Sequence, residues 1–334
     1  MQLHNETLYL SPGKPGYFFQ PVGASFWHRG WPGRIVYQAD FVAVEGTPTP
    51  TPTIWDHVYA VAVDAATGDK WFGTWAGVAR LRRDGGWQRF TTADGLLSNS
   101  TKLIAIDATT GDKWFGNMRG ASRLRSDGTW RTFTKANGLG ANTVNAISVD
   151  TATGDIWFGT DNGVAVLAGD KFSLTHPGSV DKGPVVYDIL ADREGILVAA
   201  NNGLWRFSGN KEPYRRLPLP PGIPRDNVRA LAVTAEGLWL GTYNHGLWLH
   251  NYSGWRPASG AAAVARSIYQ MTVEPSGTLY ISTNGSGIFV KRPGQEVMEH
   301  WGTDNGLPSN VINSALEDNE ENLWIGTYIG GLAR

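Results

Sequence analysis

The stretch that decides the fold is Trp71-Phe72-Gly73-Thr74, which the chain repeats with small changes. Six further versions follow at intervals of 40 to 44 residues: Trp114-Phe115-Gly116-Asn117, Trp157-Phe158-Gly159-Thr160, Leu197-Val198-Ala199-Ala200, Trp239-Leu240-Gly241-Thr242, Tyr280-Ile281-Ser282-Thr283 and Trp324-Ile325-Gly326-Thr327. Repetition with a period of about 40–45 residues is typical of a β-propeller, in which each repeat forms one four-stranded blade. Seven copies therefore predict seven blades.

The residues around each copy have the pattern of four consecutive strands. In the first repeat, residues 58–64 are apolar nearly throughout, as expected of an inner strand that is buried on both faces. Residues 70–74 and 77–81 predict the second and third strands. Asp84-Gly85-Gly86 predicts a tight hairpin turn, because glycine adopts the positive φ angles that such turns need. Residues 87–90 are more polar and predict an outer strand that meets solvent.

The last repeat offers only three strands before the sequence ends at Arg334. Residues 35–44, just upstream of the first repeat, alternate in a way that suits a strand, and pairing them beside residues 330–334 would remove an exposed sheet edge. The expected fold is therefore an all-β, seven-bladed propeller of four-stranded antiparallel blades, closed by an N-terminal strand that completes the last blade. Residues 1–34 are expected to form an extension or docking arm with a degenerate repeat, and residues 45–57 a Pro/Thr spacer, before the repeats at 58–334.

The composition narrows the possible functions. The chain has 334 residues, no cysteine and a formal net charge of −1. The lack of cysteine excludes disulfides, Cys-ligated zinc, iron–sulfur clusters and thiol catalysis. No basic surface of the kind that binds nucleic acid is expected, and no apolar run approaches the about 20 residues of a membrane span. No catalytic residue, cofactor or metal ligand is assigned. The Pro-Thr spacer favours an extracytoplasmic location, with the cytoplasm as the alternative.

A second motif adds a family resemblance. Asn305-Gly306-Leu307-Pro308-Ser309-Asn310-Val311, followed by Leu323-Trp324-Ile325-Gly326-Thr327, resembles the two-component-regulator propeller repeat. Related segments occur at residues 94–99 and 137–142, and the resemblance covers roughly residues 58–334. This repeat builds the extracytoplasmic sensor domains of bacterial hybrid sensor kinases, many of which detect glycan fragments. The membrane span and kinase of those proteins are not found in this sequence, so the resemblance implies a fold and a binding role rather than signalling by this chain.

The candidate binding residues follow the Gly-Thr position of each repeat. In a propeller, these loops gather on one face around the central channel. Aromatic rings there could stack on the C–H faces of a sugar, and amide or carboxylate groups could bind its hydroxyls. Asn and Asp are also ordinary turn residues, so a purely structural role stays open for several of them. The predicted ligand-binding ring comprises Trp75, Met118, Arg119, Asp161, Asn162, Asn201, Asn202, Tyr243, Asn244, His245, Asn284 and Tyr328.

Three functions remain open at this stage. The first is a non-catalytic binding propeller that recognises a glycan, another small ligand or a protein partner on its loop face. The second is a structural subunit of a multi-protein or surface assembly that docks through its rim and residues 1–34. The third, a propeller lyase or hydrolase, has little support, because His245 is a single loop histidine with no His or Glu partner at close spacing.

Overall fold

The computed structural model describes residues 57–179, 182–208, 214–260, 265 and 267–334, and the backbone of two short strands, β1 (Phe19–Pro21) and β2 (Phe41–Ala43). From residue 58 onward the chain forms seven antiparallel sheets arranged in a ring. The first strands of successive sheets contact one another, and those of the last and first sheets also touch, so the first strands surround the central axis. The predicted seven-bladed all-β propeller is confirmed.

Six blades have four strands each. Blade 1 contains β3 (Val58–Val63), β4 (Lys70–Thr74), β5 (Gly77–Leu81) and β6 (Trp87–Phe90). Blade 2 contains β7 (Leu103–Ile106), β8 (Lys113–Asn117), β9 (Gly120–Leu124) and β10 (Trp130–Phe133). Blade 3 contains β11 (Val144–Val149), β12 (Ile156–Thr160), β13 (Gly163–Ala168) and β14 (Lys171–Thr175).

The second half of the ring continues this order. Blade 4 contains β15 (Val186–Asp192), β16 (Gly195–Ala200), β17 (Gly203–Phe207) and β18 (Tyr214–Leu217). Blade 5 contains β19 (Val228–Thr234), β20 (Gly237–Thr242), β21 (Leu247–Asn251) and β22 (Gly254–Pro257). Blade 6 contains β23 (Ile268–Val273), β24 (Leu279–Thr283), β25 (Ile288–Lys291) and β26 (Glu299–Trp301). Blade 7 contains β27 (Ile312–Glu317), β28 (Leu323–Thr327) and β29 (Leu332–Ala333).

Short 3-10 helices precede three of the first strands in the described part of the chain. They span Lys135–Asn137, Arg225–Asn227 and Thr303–Asn305. The first begins with a cap in which the Thr134 side chain accepts a hydrogen bond from the Ala136 backbone N–H. Gly138 ends it with a φ of 118°, a conformation that favours glycine. These turns lead the chain from the outer strand of one blade to the axis.

The repeated Trp-Phe-Gly-Thr stretch forms the second strand of the blade, and its side chains build the contacts between blades. Trp71 and Phe72 are both buried and point to opposite faces of β4. Trp71 lies 5.9 Å from Phe115 of blade 2, and Phe72 lies 5.5 Å from Trp324 of blade 7, measured between ring centroids. The repeat therefore carries two large side chains because each blade packs against two neighbours.

The glycine of the stretch also has a packing role. A Cβ atom on Gly159 would lie 2.6 Å from Val186 Cγ1, and one on Gly241 would lie 2.6 Å from Ile268 Cγ2. Both neighbours are the first residue of the next blade's inner strand. Glycine at this position therefore lets adjacent inner strands approach closely around the axis. Blade 4 has Ala199 here, which is fully buried.

The predicted closing strand is not confirmed. Within residues 35–44, the structure describes Phe41–Ala43, and this strand pairs antiparallel with Phe19–Pro21 rather than with blade 7. Blade 7 has three strands within the described residues. The remainder of residues 35–44, most of the predicted arm at 1–34 and residues 45–56 of the spacer lie outside the described residues, so these boundaries stay predictions.

Side-chain contacts between blades 7 and 1 close the ring. Trp324 and Leu332 pack with Val58 and Phe72 in one buried cluster. Asn313 Nδ2 donates a hydrogen bond of 2.8 Å to the Val58 carbonyl oxygen. Blades 7 and 1 are thus joined in the same way as the other blades, because an apolar sheet face is buried on each side of the interface.

Ion pairs join neighbouring blades at the end opposite the loop face. Lys113 Nζ of blade 2 lies 2.8 Å from Asp64 Oδ2 of blade 1, and Lys70 Nζ of blade 1 lies 3.4 Å from Asp318 Oδ2 of blade 7. Burial raises the pKa of Asp64, but the Lys113 ammonium and the Ala66 backbone N–H outweigh burial, so the pKa of Asp64 is lowered overall. These pairs fix the rotation of one blade against the next.

Candidate functional site

The predicted binding residues lie where the second strand of each blade turns into the third, on one face of the ring. All twelve are exposed or partly exposed. Trp75 is 54% exposed, and Tyr243 and Tyr328 are each 45% exposed. Large aromatic side chains this open to solvent have no packing role in a blade, and they distinguish this face from the buried strand tryptophans.

His57 connects two of the predicted aromatic residues across the interface between blades 7 and 1. Its ring centroid lies 4.8 Å from that of Tyr328 and 6.3 Å from that of Trp75, and Tyr59 stacks on its other side at 6.3 Å. The His57 Nδ1 atom is buried and has no hydrogen-bond partner in the described part of the protein. Trp75 and Tyr328 therefore belong to one aromatic group, although they lie far apart in the sequence.

A second set of residues, which the sequence analysis did not identify, lies on the same face nearer the axis. In six blades the register between the first and second strands shifts by one residue, and in blade 2 Lys102 and Leu103 both face Gly116. Such a bulge leaves the extra residue unpaired. Extra residues of neighbouring blades contact one another, as Arg229 does Tyr187 and Lys102 does Tyr59, so we infer that they face the axis that the first strands surround. We call the seven extra residues the axial ring: Tyr59, Lys102, Asn145, Tyr187, Arg229, Tyr269 and Asn313.

The sequence contains a signal for the axial ring. Each member lies ten to twelve residues before the lead residue of the second strand, directly after an inner-strand residue such as Val58, Val186 or Ile268. These positions hold tyrosine, lysine, arginine or asparagine within otherwise apolar strands. An inner strand that was fully buried would not tolerate such side chains, so the repeated exception marks a position that leaves the sheet.

Cation–π contacts join the axial ring to the loop residues. The Arg229 guanidinium lies 3.7 Å from the ring centroid of Tyr187 and 5.2 Å from that of Tyr243. Lys102 Nζ lies 5.9 Å from the ring centroid of Tyr59. Burial raises the pKa of Tyr269, and the neighbouring Tyr243 and Tyr328 raise it further. The face is thus a continuous arrangement of aromatic rings and cations from blade 4 through blade 7 to blade 2.

Several predicted polar residues hold the loops of this face. Asn162 Nδ2 donates to the Gly140 carbonyl oxygen at 3.2 Å, and its Oδ1 accepts from the Gly183 N–H at 2.8 Å. Asn202 Nδ2 donates to the Pro177 carbonyl oxygen at 2.8 Å, and its Oδ1 accepts from Trp205 Nε1 at 2.9 Å. Both the donor and the acceptor end of each amide are thus occupied. Asn162 and Asn202 therefore have the structural role of holding loops in place.

The other polar residues differ in how firmly they are held. Asp161 Oδ1 accepts a 2.8 Å hydrogen bond from Asn145 Nδ2, and Asn201 Oδ1 accepts one of 3.1 Å from the Val185 N–H. His245 Nδ1 lies 3.3 Å from Asn227 Oδ1. The remaining predicted residues lie on exposed turns: Met118, Arg119, Asn244 and Asn284.

The described residues contain no group of three or more His, Asp or Glu side chains arranged to hold a metal ion. The helices among them are all short, and none could cross a membrane. His245 belongs to no such group among the described residues, and its ring contacts the Asn227 side-chain oxygen. A separate recess of about 570 Å³ lies against blade 6 and the segment that connects it to blade 7, lined by Phe289, His300, Asp304 and Asn310 among others.

Comparison with known proteins agrees with this geometry. A family model described as "Two component regulator propeller" matches residues 306–328, a range that overlaps both parts of the motif that carried the resemblance. No curated protein matches the chain. The extracellular domain of BT4673 from B. thetaiotaomicron, described as a hybrid two-component system, superimposes with a TM-score of 0.64 at 20% identity. The match covers 84% of this chain and 38% of that one, so this chain spans less than half the length of that extracellular domain.

Other solved structures with this fold have different roles. A streptogramin B lyase superimposes with a TM-score of 0.66 at 13% identity, over 84% of this chain and 93% of that one. PorZ, a surface component of the type-IX secretion system of Porphyromonas gingivalis, does so with a TM-score of 0.62 at 16% identity, over 84% of this chain and 37% of that one. At these identities the likeness shows the fold alone. The chain is a seven-bladed propeller that carries the two component regulator propeller repeat, as the sequence motifs predicted.

Proposed function

We propose that this protein is a non-catalytic binding propeller that recognises a glycan on its loop face, outside the cytoplasm. The observation that carries the proposal is the set of aromatic rings on that face. Trp75, Tyr243 and Tyr328 from the loops and Tyr269 from the axial ring are exposed, and Tyr59 and Tyr187 from the axial ring are half-buried. Sugar rings bind proteins by stacking their C–H faces on such side chains while polar groups bind the hydroxyls. The sensor domains that share the fold support an extracytoplasmic location.

The arrangement suits binding better than catalysis. Catalysis needs a general acid or base within reach of a reacting atom, together with a group that activates or orients it. His245 contacts an amide oxygen rather than a carboxylate, and Asp161 is held by an amide. The aromatic rings offer a broad, preformed surface that needs no such pair.

The test is titration calorimetry of the protein with a panel of defined oligosaccharides. Each stacked aromatic residue contributes about 0.5–1.5 kcal/mol, so the Trp75→Ala/Tyr243→Ala variant should bind about 5- to 150-fold more weakly. Tyr252→Ala is the matched control, because Tyr252 is fully exposed on the β21–β22 hairpin, at the opposite end of the blade. Thermal unfolding of each variant verifies that it folds.

Two outcomes would contradict the proposal. One is that no oligosaccharide binds the native protein, and the other is that the double variant binds as tightly as Tyr252→Ala. In either case, docking of a protein partner through the rim and residues 1–34 becomes the better hypothesis. Deletion of residues 1–34 followed by measurement of the oligomeric state then tests that alternative.

A further inference from the structure

Among the described residues, Arg229 differs from the other buried or half-buried arginines in having no carboxylate partner. Arg80, Arg123 and Arg206 each form an ion pair with an aspartate of their own blade. Arg229 is half-buried on the axis, and no carboxylate in the described part of the chain forms an ion pair with it. A half-buried cation without a counter-ion carries a desolvation cost that an anionic ligand would remove.

The aromatic neighbours of Arg229 fix the plane of its guanidinium. Tyr187 lies beneath it at 3.7 Å, and Tyr243 lies to one side at 5.2 Å. The Nη1 atom donates to the backbone carbonyl oxygens of Asp226 at 2.9 Å and Val228 at 3.3 Å. These contacts hold one end of the guanidinium in place before any ligand arrives.

The other edge of the guanidinium has no partner among the described residues. Both hydrogen bonds use Nη1, which leaves the parallel N–H groups of Nε and Nη2 without an acceptor there. This edge is the one that binds both oxygens of a carboxylate side by side. The guanidinium of Arg229 is therefore held in an orientation in which this edge could bind a planar anion such as a carboxylate.

Two carboxylates near the axis have hydrogen-bond donors within the protein, whereas two cations there form no ion pair among the described residues. Asp161 accepts a hydrogen bond from Asn145, and both oxygens of Asp188 accept backbone N–H groups at 2.8 Å. Lys102 is exposed on the same ring, and no carboxylate among the described residues forms an ion pair with it. Arg229 and Lys102 are therefore positive charges on this face that an anionic ligand could pair with.

We infer that the ligand of the loop face is an acidic glycan, and that Arg229 binds the carboxylate of a uronic acid residue whose ring stacks on Tyr243. This inference rests on the proposed function and adds the ligand class to it. Lys102 belongs to blade 2 and contacts Tyr59 of blade 1. It would bind a second anionic group of a longer oligosaccharide.

The experiment compares three probes by titration calorimetry: a short oligogalacturonate, its methyl ester and a sulfated neutral galactan fragment. The ester has the shape of the acid but not its charge. Native protein should bind the acid about 10- to 100-fold more tightly than the ester, the effect of one bidentate charge-assisted pair. Arg229→Gln should abolish that difference, while Arg215→Gln, at an exposed position on β18, should retain it.

Arg229→Lys provides a second variant with the charge retained. It should bind the acid more weakly than the native protein because an ammonium cannot form the two parallel hydrogen bonds, and thermal unfolding reports whether each variant folds. Tighter binding of the sulfated fragment than of the acid would overturn the carboxylate assignment.

Failure of this inference is distinguishable from failure of the proposed function. If acid and ester bind equally and both lose affinity in Tyr243→Ala, the glycan site stands and the role of Arg229 is overturned. If none of the three probes binds, while no neutral oligosaccharide of the earlier panel binds either, both the function and this inference are overturned.

Discussion

Asp188 should make the stability of the propeller depend on pH in an unusual direction. It follows Tyr187 in the first strand of blade 4, at a position where blades 1, 3 and 5 have Ala60, Ala146 and Ala230. Although the residue as a whole is half-buried, its carboxylate lies between blades 4 and 5. Its Oδ2 accepts a hydrogen bond from the Leu231 N–H and its Oδ1 one from the Ile189 N–H, both at 2.8 Å.

Burial raises the pKa of Asp188 from its usual 3.8 to about 6, and these two hydrogen bonds only partly oppose it. The folded state therefore binds a proton more tightly than the unfolded state does. For such a group, the favourable contribution is complete below pH 3.8 and is lost as the pH rises through about 6. At about 1.4 kcal/mol for each pH unit, the loss amounts to about 3 kcal/mol.

The Asp188→Asn variant removes the ionisation and nearly preserves the shape. Its amide can accept only one of the two backbone hydrogen bonds, which lowers its stability by about 1 kcal/mol at every pH. Relative to native protein, however, its unfolding free energy should rise by about 2.4 kcal/mol between pH 4 and pH 7, because part of the native protein's loss occurs below pH 4. Urea unfolding followed by fluorescence of the 15 tryptophans measures this difference.

The slope of the difference against pH is the informative quantity. Asp84→Asn, in an exposed hairpin, controls for the change in net charge. Parallel curves for the native and Asp188→Asn proteins from pH 4 to pH 7 would refute the reasoning, as would an Asp188 carboxyl carbon that titrates near pH 4 in an NMR experiment.

Two further predictions concern the contacts between blades. Gly326→Ala should lower the unfolding free energy by about 1–3 kcal/mol, because the new Cβ would lie 2.9 Å from Val58 Cγ1 of blade 1. The reverse change in blade 4, Ala199→Gly, should lower the unfolding free energy by only about 0.5–1 kcal/mol. If urea unfolding gives the same loss for Gly326→Ala and Ala199→Gly, blades 7 and 1 are not tightly packed at this point. Lys113→Met should destabilise the protein by about 3 kcal/mol near neutral pH, because it leaves the buried Asp64 unpaired. Since the pKa of Asp64 is lowered in the native protein, this pair stabilises above pH 3.8 and fades as the pH falls, so a cost that stays constant down to pH 3 would count against the assignment.

The candidate site shows where reasoning from the sequence stopped. The loop aromatic residues Trp75, Tyr243 and Tyr328 could be selected because no turn requires them, and the structure places them on one face. Asn162 and Asn202 are asparagines in the predicted binding loops, as a sugar-binding residue would be. Their side chains instead form hydrogen bonds that hold the loops in place. Only the positions of the neighbouring carbonyl groups separate these two roles, and the sequence does not contain those positions.

The axial ring was missed for a related reason. Arg229 lies in an apolar strand, and the sequence pattern predicts that this strand is buried on both faces. A one-residue bulge takes the Arg229 side chain out of the buried faces of the strand. Whether such a bulge forms depends on how the strand pairs with its neighbour. The recurrence of polar residues or tyrosine at this position in every repeat is the feature of the sequence that could have predicted the bulge.

The sequence by itself determined the number of blades, the order of strands within each blade and the residues that pack between them. These are local properties, since a tryptophan, a phenylalanine and a glycine in one strand specify contacts that recur in every repeat. Tertiary structure alone decided how blades 7 and 1 meet, which residues the strand bulges turn toward the axis, and that Arg229 has no carboxylate partner among the described residues. Those features depend on distances between residues up to 255 positions apart in the chain, and such distances exist only once the ring has formed.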